Sequence, residues 1–211
     1  SQGSGVGDNA IEMDGAEDSD WQPVTTASIR NMTVIGQPID GDGLTAWRDG
    51  ARVQFHNSIF MDGGEQVVRP DGDDGDGASG YGHNGTLSFA DVWNTPYTSL
   101  SGVKAAFYSS QVAGNLTEIK GSVFYRNLAS NAYTEANARG VFNASNGNIQ
   151  SASFPIASIT RNAPVTRGGK QMLQVVGLDP TPINDALVAG TNAPNDGFFS
   201  AATYRGAFSP A

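Results

Sequence analysis

The chain has 211 residues, 27 of them glycine and ten proline, with only 16% charged side chains and a formal net charge of −9. No Lys/Arg cluster exists to neutralise phosphate, which argues against nucleic acid and anionic membrane surfaces as partners. There is no cysteine, so disulfides, thiolate catalysis and thiolate-bound zinc are excluded.

No apolar run approaches the ~18 residues of a membrane span, and the length suits one continuous folded unit. The opening SQGSGVGDNA has neither Met nor a signal peptide and is expected to begin a mature or excised piece of something longer. Both the Gly/Ser-rich start and the closing FSPA are expected to pack against their own domain or a neighbouring copy. The Gly/Asn/Ser/Thr-heavy composition points to a turn-rich all-β chain.

The first elements repeat. NAIEMDG (9–15) is followed by ASIRNMTVIG (27–36), and DGLTAWRDG (42–50) by RVQFHNSIFMDG (52–63). In the first pair Ile11 matches Leu44 and Met13 matches Ala46, an offset of 33; in the second Ile29 matches Phe55, Asn31 matches Asn57, Thr33 matches Ile59 and Ile35 matches Met61, an offset of 26. The insertion AEDSDWQPVTT accounts for the difference. Short strands that recur at such a period between Gly/Asp/Asn turns predict a parallel β-helix, a solenoid in which each turn stacks on the next. Alternation along 52–60 puts Val53, Phe55, Asn57 and Ile59 on one face. An inward Asn57 then needs partners, and a ladder to Asn31 at one bend supplies them; a chance alignment in an Asn-rich chain is the alternative.

The stretches GDNAIEMDG, ASIRNMTVIG and GDGLTAWRDGARVQFHNSIFMDGG, with the closing GFFSAATYRGAFSP, resemble the C-terminal part of large exported bacterial proteins built on a right-handed, pectate-lyase-like parallel β-helix. The resemblance covers residues 5–69 and 197–209, while 70–196 depart from the repeat. It implies architecture and a secreted or cell-surface location; most such proteins have no assigned reaction.

Further along, PDGDDGDGASGYGHNGT after Arg69 reads as a loop. TLSFADVW and KGSVFYRN (120–127) read as strands, the latter as one more turn, and a short helix is expected over 103–112. Residues 1–130 are thus assigned to solenoid turns, with an acidic insertion at 70–85. Residues 131–211 are assigned to an irregular C-terminal cap and tail, with Phe198, Phe199, Tyr204 and Phe208 as its apolar anchors.

Asp71, Asp73, Asp74 and Asp76 interleave with glycine, a pattern that offers calcium both carboxylates and carbonyls. Neither the EF-hand glutamate nor the nonapeptide calcium repeat is present, and a solvated, self-repelling loop fits equally. Asp14, Glu17, Asp18 and Asp20, and Asp40 with Asp42, form further acidic corners. His56 is expected to point away from the core, and His83 lies in the glycine-rich loop; neither belongs to a triad or zinc motif.

Related folds cut acidic polysaccharides with a Lys or Arg base beside calcium-binding carboxylates, or with clustered Asp. Here Arg48, Arg52 and Arg69 lie near Asp49 and Asp62, yet no such signature string appears. Trp47, Trp93 and Tyr97 are candidate glycan-stacking side chains, although Trp47 also reads as a ring packed on the neighbouring turn. The four Asn-x-Ser/Thr sequons, at Asn31, Asn84, Asn115 and Asn143, are background in this composition.

Taken together these features favour a non-catalytic extracellular or cell-surface assembly module. Its expected partners are copies of itself or other surface proteins, with calcium as an accessory ion. Carbohydrate binding or polysaccharide degradation is the rival reading.

Overall fold

The computed structural model describes residues 9–15, 25–48, 51–71, 117–126, 144–190 and 195–210. The expected strand at 86–93 and helix at 103–112 lie outside these residues. The described chain is all-β. Strands β1 (Ile11–Asp14), β2 (Thr26–Arg30) and β3 (Thr33–Ile35) are followed by β4 (Thr45–Arg48), β5 (Arg52–His56) and β6 (Ile59–Met61), and then by β7 (Val68–Asp71), β8 (Glu118–Lys120) and β9 (Val123–Tyr125). A two-residue strand β10 (Ile149–Gln150) follows. Each strand pairs in parallel with its successor, forming the sheets β1-β4-β7, β2-β5-β8 and β3-β6-β9-β10.

The registers of β2 on β5 and β3 on β6 place Ile29 beside Phe55, Thr33 beside Ile59 and Ile35 beside Met61. The first sheet is shifted by one residue from the sequence alignment: Ile11 pairs with Thr45 and Met13 with Trp47. Leu44, Thr45, Ala46 and Trp47 are all buried, so hydrophobicity alone does not choose between the registers. A one-residue slip exchanges the two faces of a strand, and the observed one brings Trp47 against Phe55, their ring planes 12° apart.

That contact opens the main core. Phe55 meets Phe60 edge to face, and Phe60 stacks on Phe124 at 5.5 Å between centroids. Val34, Leu44, Val53, Val67, Val68 and Ile119 complete the cluster. Ile59 and Met61 lie in a second core with Ile156 and Ala186. The expectation that Val53, Phe55 and Ile59 share one face is therefore corrected. Asn57 has φ of +54°, which turns the chain through a corner and resets the alternation, so Phe60 rather than Ile59 follows Phe55 inward.

The second core exists because the C-terminal region is ordered strand. In place of an irregular cap, β11 (Ile156–Arg161) pairs antiparallel with β14 (Val175–Pro182), and β12 (Val165–Arg167) with β13 (Lys170–Met172). The tip is Gly168-Gly169, both at positive φ, as two-residue hairpin turns require. A two-stranded hairpin is marginal alone, and this one is held by polar contacts along the corner that follows β3. The Gln37 side chain bonds both the N–H and the carbonyl of Leu173. Asp40 accepts from the Gln171 N–H at 2.8 Å, and Arg161 lies 3.5 Å from the fully buried Asp62.

Candidate functional site

The corner between the second and third sheets is built from a column of left-handed residues. Asn31, Asn57, Gly121 and Gly147 have φ of 52°, 54°, 59° and 70°, and they succeed one another as the strands stack. Glycine and asparagine are the residue types that tolerate this conformation, which is why this column contains nothing else. The residue after each corner builds a ladder on the core side. The Met32 N–H donates to Ser58 Oγ, the Ser58 N–H to Ser122 Oγ, and the Ser122 N–H to Asn148 Oδ1, at 3.0–3.1 Å. Ser58 and Ser122 Oγ donate in turn to the carbonyls of His56 and Lys120, and Asn148 Nδ2 to that of Ile119.

Asn31 and Asn57 do pair, Asn57 Nδ2 donating to Asn31 Oδ1 at 2.9 Å. Their amides do not lie inside the bend, however; that place is taken by the serines and Asn148. They face the C-terminal segment. Asn57 Nδ2 also donates to the Tyr204 carbonyl at 2.8 Å, and Asn31 Nδ2 donates to the carbonyls of Tyr204 and Gly206, each at 3.1 Å. The Gly190 N–H donates to Asn57 Oδ1, and the Gly206 N–H to the Asn57 carbonyl at 2.9 Å.

Arg205 locks this arrangement. Only 5% exposed, it donates from Nε to the Gly121 carbonyl and from Nη1 to the Asp185 carbonyl, both at 2.6 Å. Burial lowers its pKa and Asp185 raises it, but a guanidinium starts too high to lose its proton. Two of the four expected aromatic anchors are corrected: Phe198 is 87% exposed and Phe208 48% exposed. Tyr204 and Phe199 are half-buried, Phe199 lying under the Arg30 guanidinium at 5.1 Å, and Arg205 with backbone hydrogen bonds holds the tail.

A second polar group occupies the side of β5 opposite Phe55. His56 does point away from the core, yet it is 3% exposed. Its Nε2 lies 2.6 Å from Glu118 Oε1, and Lys120 Nζ lies 2.8 Å from the other carboxylate oxygen. Burial pushes the His56 pKa down, Arg30 and Lys120 adding to that effect against the opposing pull of Glu118. The imidazole is therefore neutral near pH 7, with Nε2–H donating to Glu118 and Nδ1 without a hydrogen-bond partner among the described residues. A histidine–glutamate pair of this form polarises an imidazole as in general-base chemistry. Here its burial keeps substrate away, and the pair acts as an internal clamp between β5 and β8.

The sign of its pH dependence follows. Between the lowered folded pKa and the unfolded value of about 6.5, the unfolded chain binds a proton that the folded one does not, so stability falls as pH drops through that window. Denaturant midpoints measured at about pH 7 and about pH 5 are expected to differ more for the native chain than for His56→Gln, since glutamine has no proton to gain. Equal differences would remove His56 as the responsible group.

The remaining sequence candidates are dispersed. Trp47 is fully buried, so it offers no face to a sugar and is a core residue. Arg48 pairs with Glu12 at 3.7 Å and Asp14 at 3.5 Å, and Arg69 with Asp42 at 3.5 Å. Asp40 and Asp62 are engaged by the hairpin, and Arg52 is buried. These side chains do not converge on one point. Asp71 ends β7, while its side chain, Asp73, Asp74, Asp76, Asp49, His83, Trp93 and Tyr97 lie outside the described residues. Among the described residues no group of three or more His, Asp or Glu side chains forms a metal cradle, and no helix is long and apolar enough to cross a membrane.

No protein-family model, curated protein or solved structure matches the chain.

Proposed function

We propose that the three parallel sheets are the faces of a right-handed parallel β-helix whose successive turns begin β1-β2-β3 and β4-β5-β6, and that the chain is a non-catalytic structural module at a bacterial cell surface or in the extracellular space. The right-handed sense follows the strong chirality of parallel crossovers. On this reading the module self-associates into filaments or layers, with copies of itself or other surface proteins as partners.

One observation carries the assembly role. Among the described residues β1, β2 and β3 are each paired on one side only, and the apolar residues of that first turn, Ile11, Met13, Ala27, Ile29 and Met32, are only partly buried. The residues stacked beneath them, including Trp47, Val53 and Phe55, are fully buried. Unpaired strand edges recruit further strands unless they are blocked. The burial of His56 and Trp47 and the pairing of Arg48 with Glu12 and Asp14 add support for a role without catalysis.

Glycan binding is the rival, now resting on Trp93 and Tyr97, and calcium at Asp71, Asp73, Asp74 and Asp76 is an accessory proposal from the sequence. Sedimentation velocity over a hundredfold concentration range separates the readings. Assembly requires a rising weight-average sedimentation coefficient. A monomer at every concentration that binds a glycan array or cleaves a polysaccharide would replace it.

A further inference from the structure

The Asn31–Asn57 corner is a peptide-recognition site already filled, and its occupant specifies the ligand. The site reads a backbone: two carboxamides donate to the carbonyls of residues 204 and 206, and the Asn57 carbonyl accepts from the N–H of residue 206. Thr33 Oγ1 accepts from the Ala207 N–H at 3.0 Å.

Two features make the recognition selective. The arginine before the glycine must reach two carbonyls of different segments at once. The glycine must be glycine, because its φ is +89° and a Cβ there would lie 2.7 Å from both Ile59 Cδ1 and Thr33 Oγ1. The segment it holds is thus a bent peptide carrying Arg-Gly.

We infer that this site also accepts residues 204–207 of a second copy of the chain, so that copies join by exchanging C-terminal segments. The inference rests on the assembly reading and names its contact. Every copy carries both the site and the segment, and identical contacts form whether the segment comes from the same chain or another. Exchange of an identical element is a low-cost route to oligomers. The segments around the site also leave apolar side chains uncovered in a single copy: Leu187 is 46% exposed, Val188 64%, Phe198 87% and Phe208 48%.

The lack of cysteine makes the test direct. Thr33→Cys and Ala207→Cys are made singly and together. In the double variant oxidation is expected to close a within-chain disulfide, and failure to do so would overturn the geometry behind the inference. The two single variants, mixed at equal concentration, equilibrated and then oxidised, are expected to give a cross-chain disulfide joining the two substituted positions, identified by peptide mass. Its yield is expected to rise with concentration, and to fall by on the order of a hundredfold or more when the chain with Ala207→Cys also carries Arg205→Ala, the size of effect that about 3 kcal/mol of lost binding produces.

A within-chain bond in the double variant without any cross-chain bond in the mixture overturns segment exchange. If sedimentation still shows oligomers in that case, the assembly role stands and uses another contact. If oligomers are also absent, both fail.

Discussion

Asn57→Ala is expected to destabilise the protein by on the order of 3–5 kcal/mol, because the substitution strips hydrogen bonds from buried partners and forces a Cβ-bearing residue without a compensating amide into the left-handed region. The Asn57 side chain is fully buried, bonded to Asn31, Tyr204 and Gly190, so no water replaces what is lost. Asn57→Gly separates the two contributions: it keeps the backbone free while deleting the same bonds, and is expected to recover about 1 kcal/mol relative to alanine. Asn57→Asp is expected to be at least as damaging as alanine, since it sets a carboxylate oxygen against the Tyr204 carbonyl where an amide donated. Chemical denaturation reads all three. An alanine variant within about 1 kcal/mol of the native chain would show that the amide column does not hold the corner.

Arg205→Ala is expected to cost a further on the order of 3–5 kcal/mol, the sum of two charge-assisted hydrogen bonds and two stranded carbonyls. Its effect is concentrated on the tail. Hydrogen exchange at Gly206 and Ala207, whose amides bond the Asn57 carbonyl and Thr33 Oγ1, is expected to accelerate well before the parallel sheets unfold. Arg205→Lys is expected to recover less than half of the loss, since one ammonium on a flexible stem does not reproduce a fork that bonds Gly121 and Asp185 together. If amide exchange at residues 206 and 207 is unchanged in Arg205→Ala, the arginine is not the anchor and the backbone hydrogen bonds of residues 204–207 to Ala186, Asn31, Asn57 and Thr33 hold the segment instead.

These two residues also mark how far the sequence could be read. The column through Asn31 and Asn57 is visible in the chain because left-handed corners admit few residue types, so the same type recurs at a 26-residue spacing. Its continuation through Gly121 and Gly147 leaves no such mark in the sequence, because glycine fills the same conformation without a carboxamide to align. The Ser58–Ser122–Asn148 ladder was hidden for a related reason: any short side chain with an oxygen serves there, and the chain is full of them. The hairpin had a local signal in Thr-Arg-Gly-Gly-Lys-Gln, a two-glycine turn between paired segments, but its exposed strands lack the apolar alternation that announces a buried one. Arg205 carried no signal at all, since an isolated arginine near a chain end reads as solvated until the segments that bury it are known.

What the sequence by itself determined was local: strand-forming runs, their glycine and asparagine corners, the 26-residue repeat of the second and third sheets, and the exclusions that follow from charge and the absence of cysteine. Only the tertiary structure decided which face of each strand met which neighbour. The register of β1 on β4, the burial of His56 with Glu118, the loss of Trp47 to the core and the seating of residues 204–207 on the Asn corner all depend on segments distant in the chain. Hydrophobic alternation says which residues seek cover, whereas the identity of the cover is set by long-range packing that no local pattern encodes.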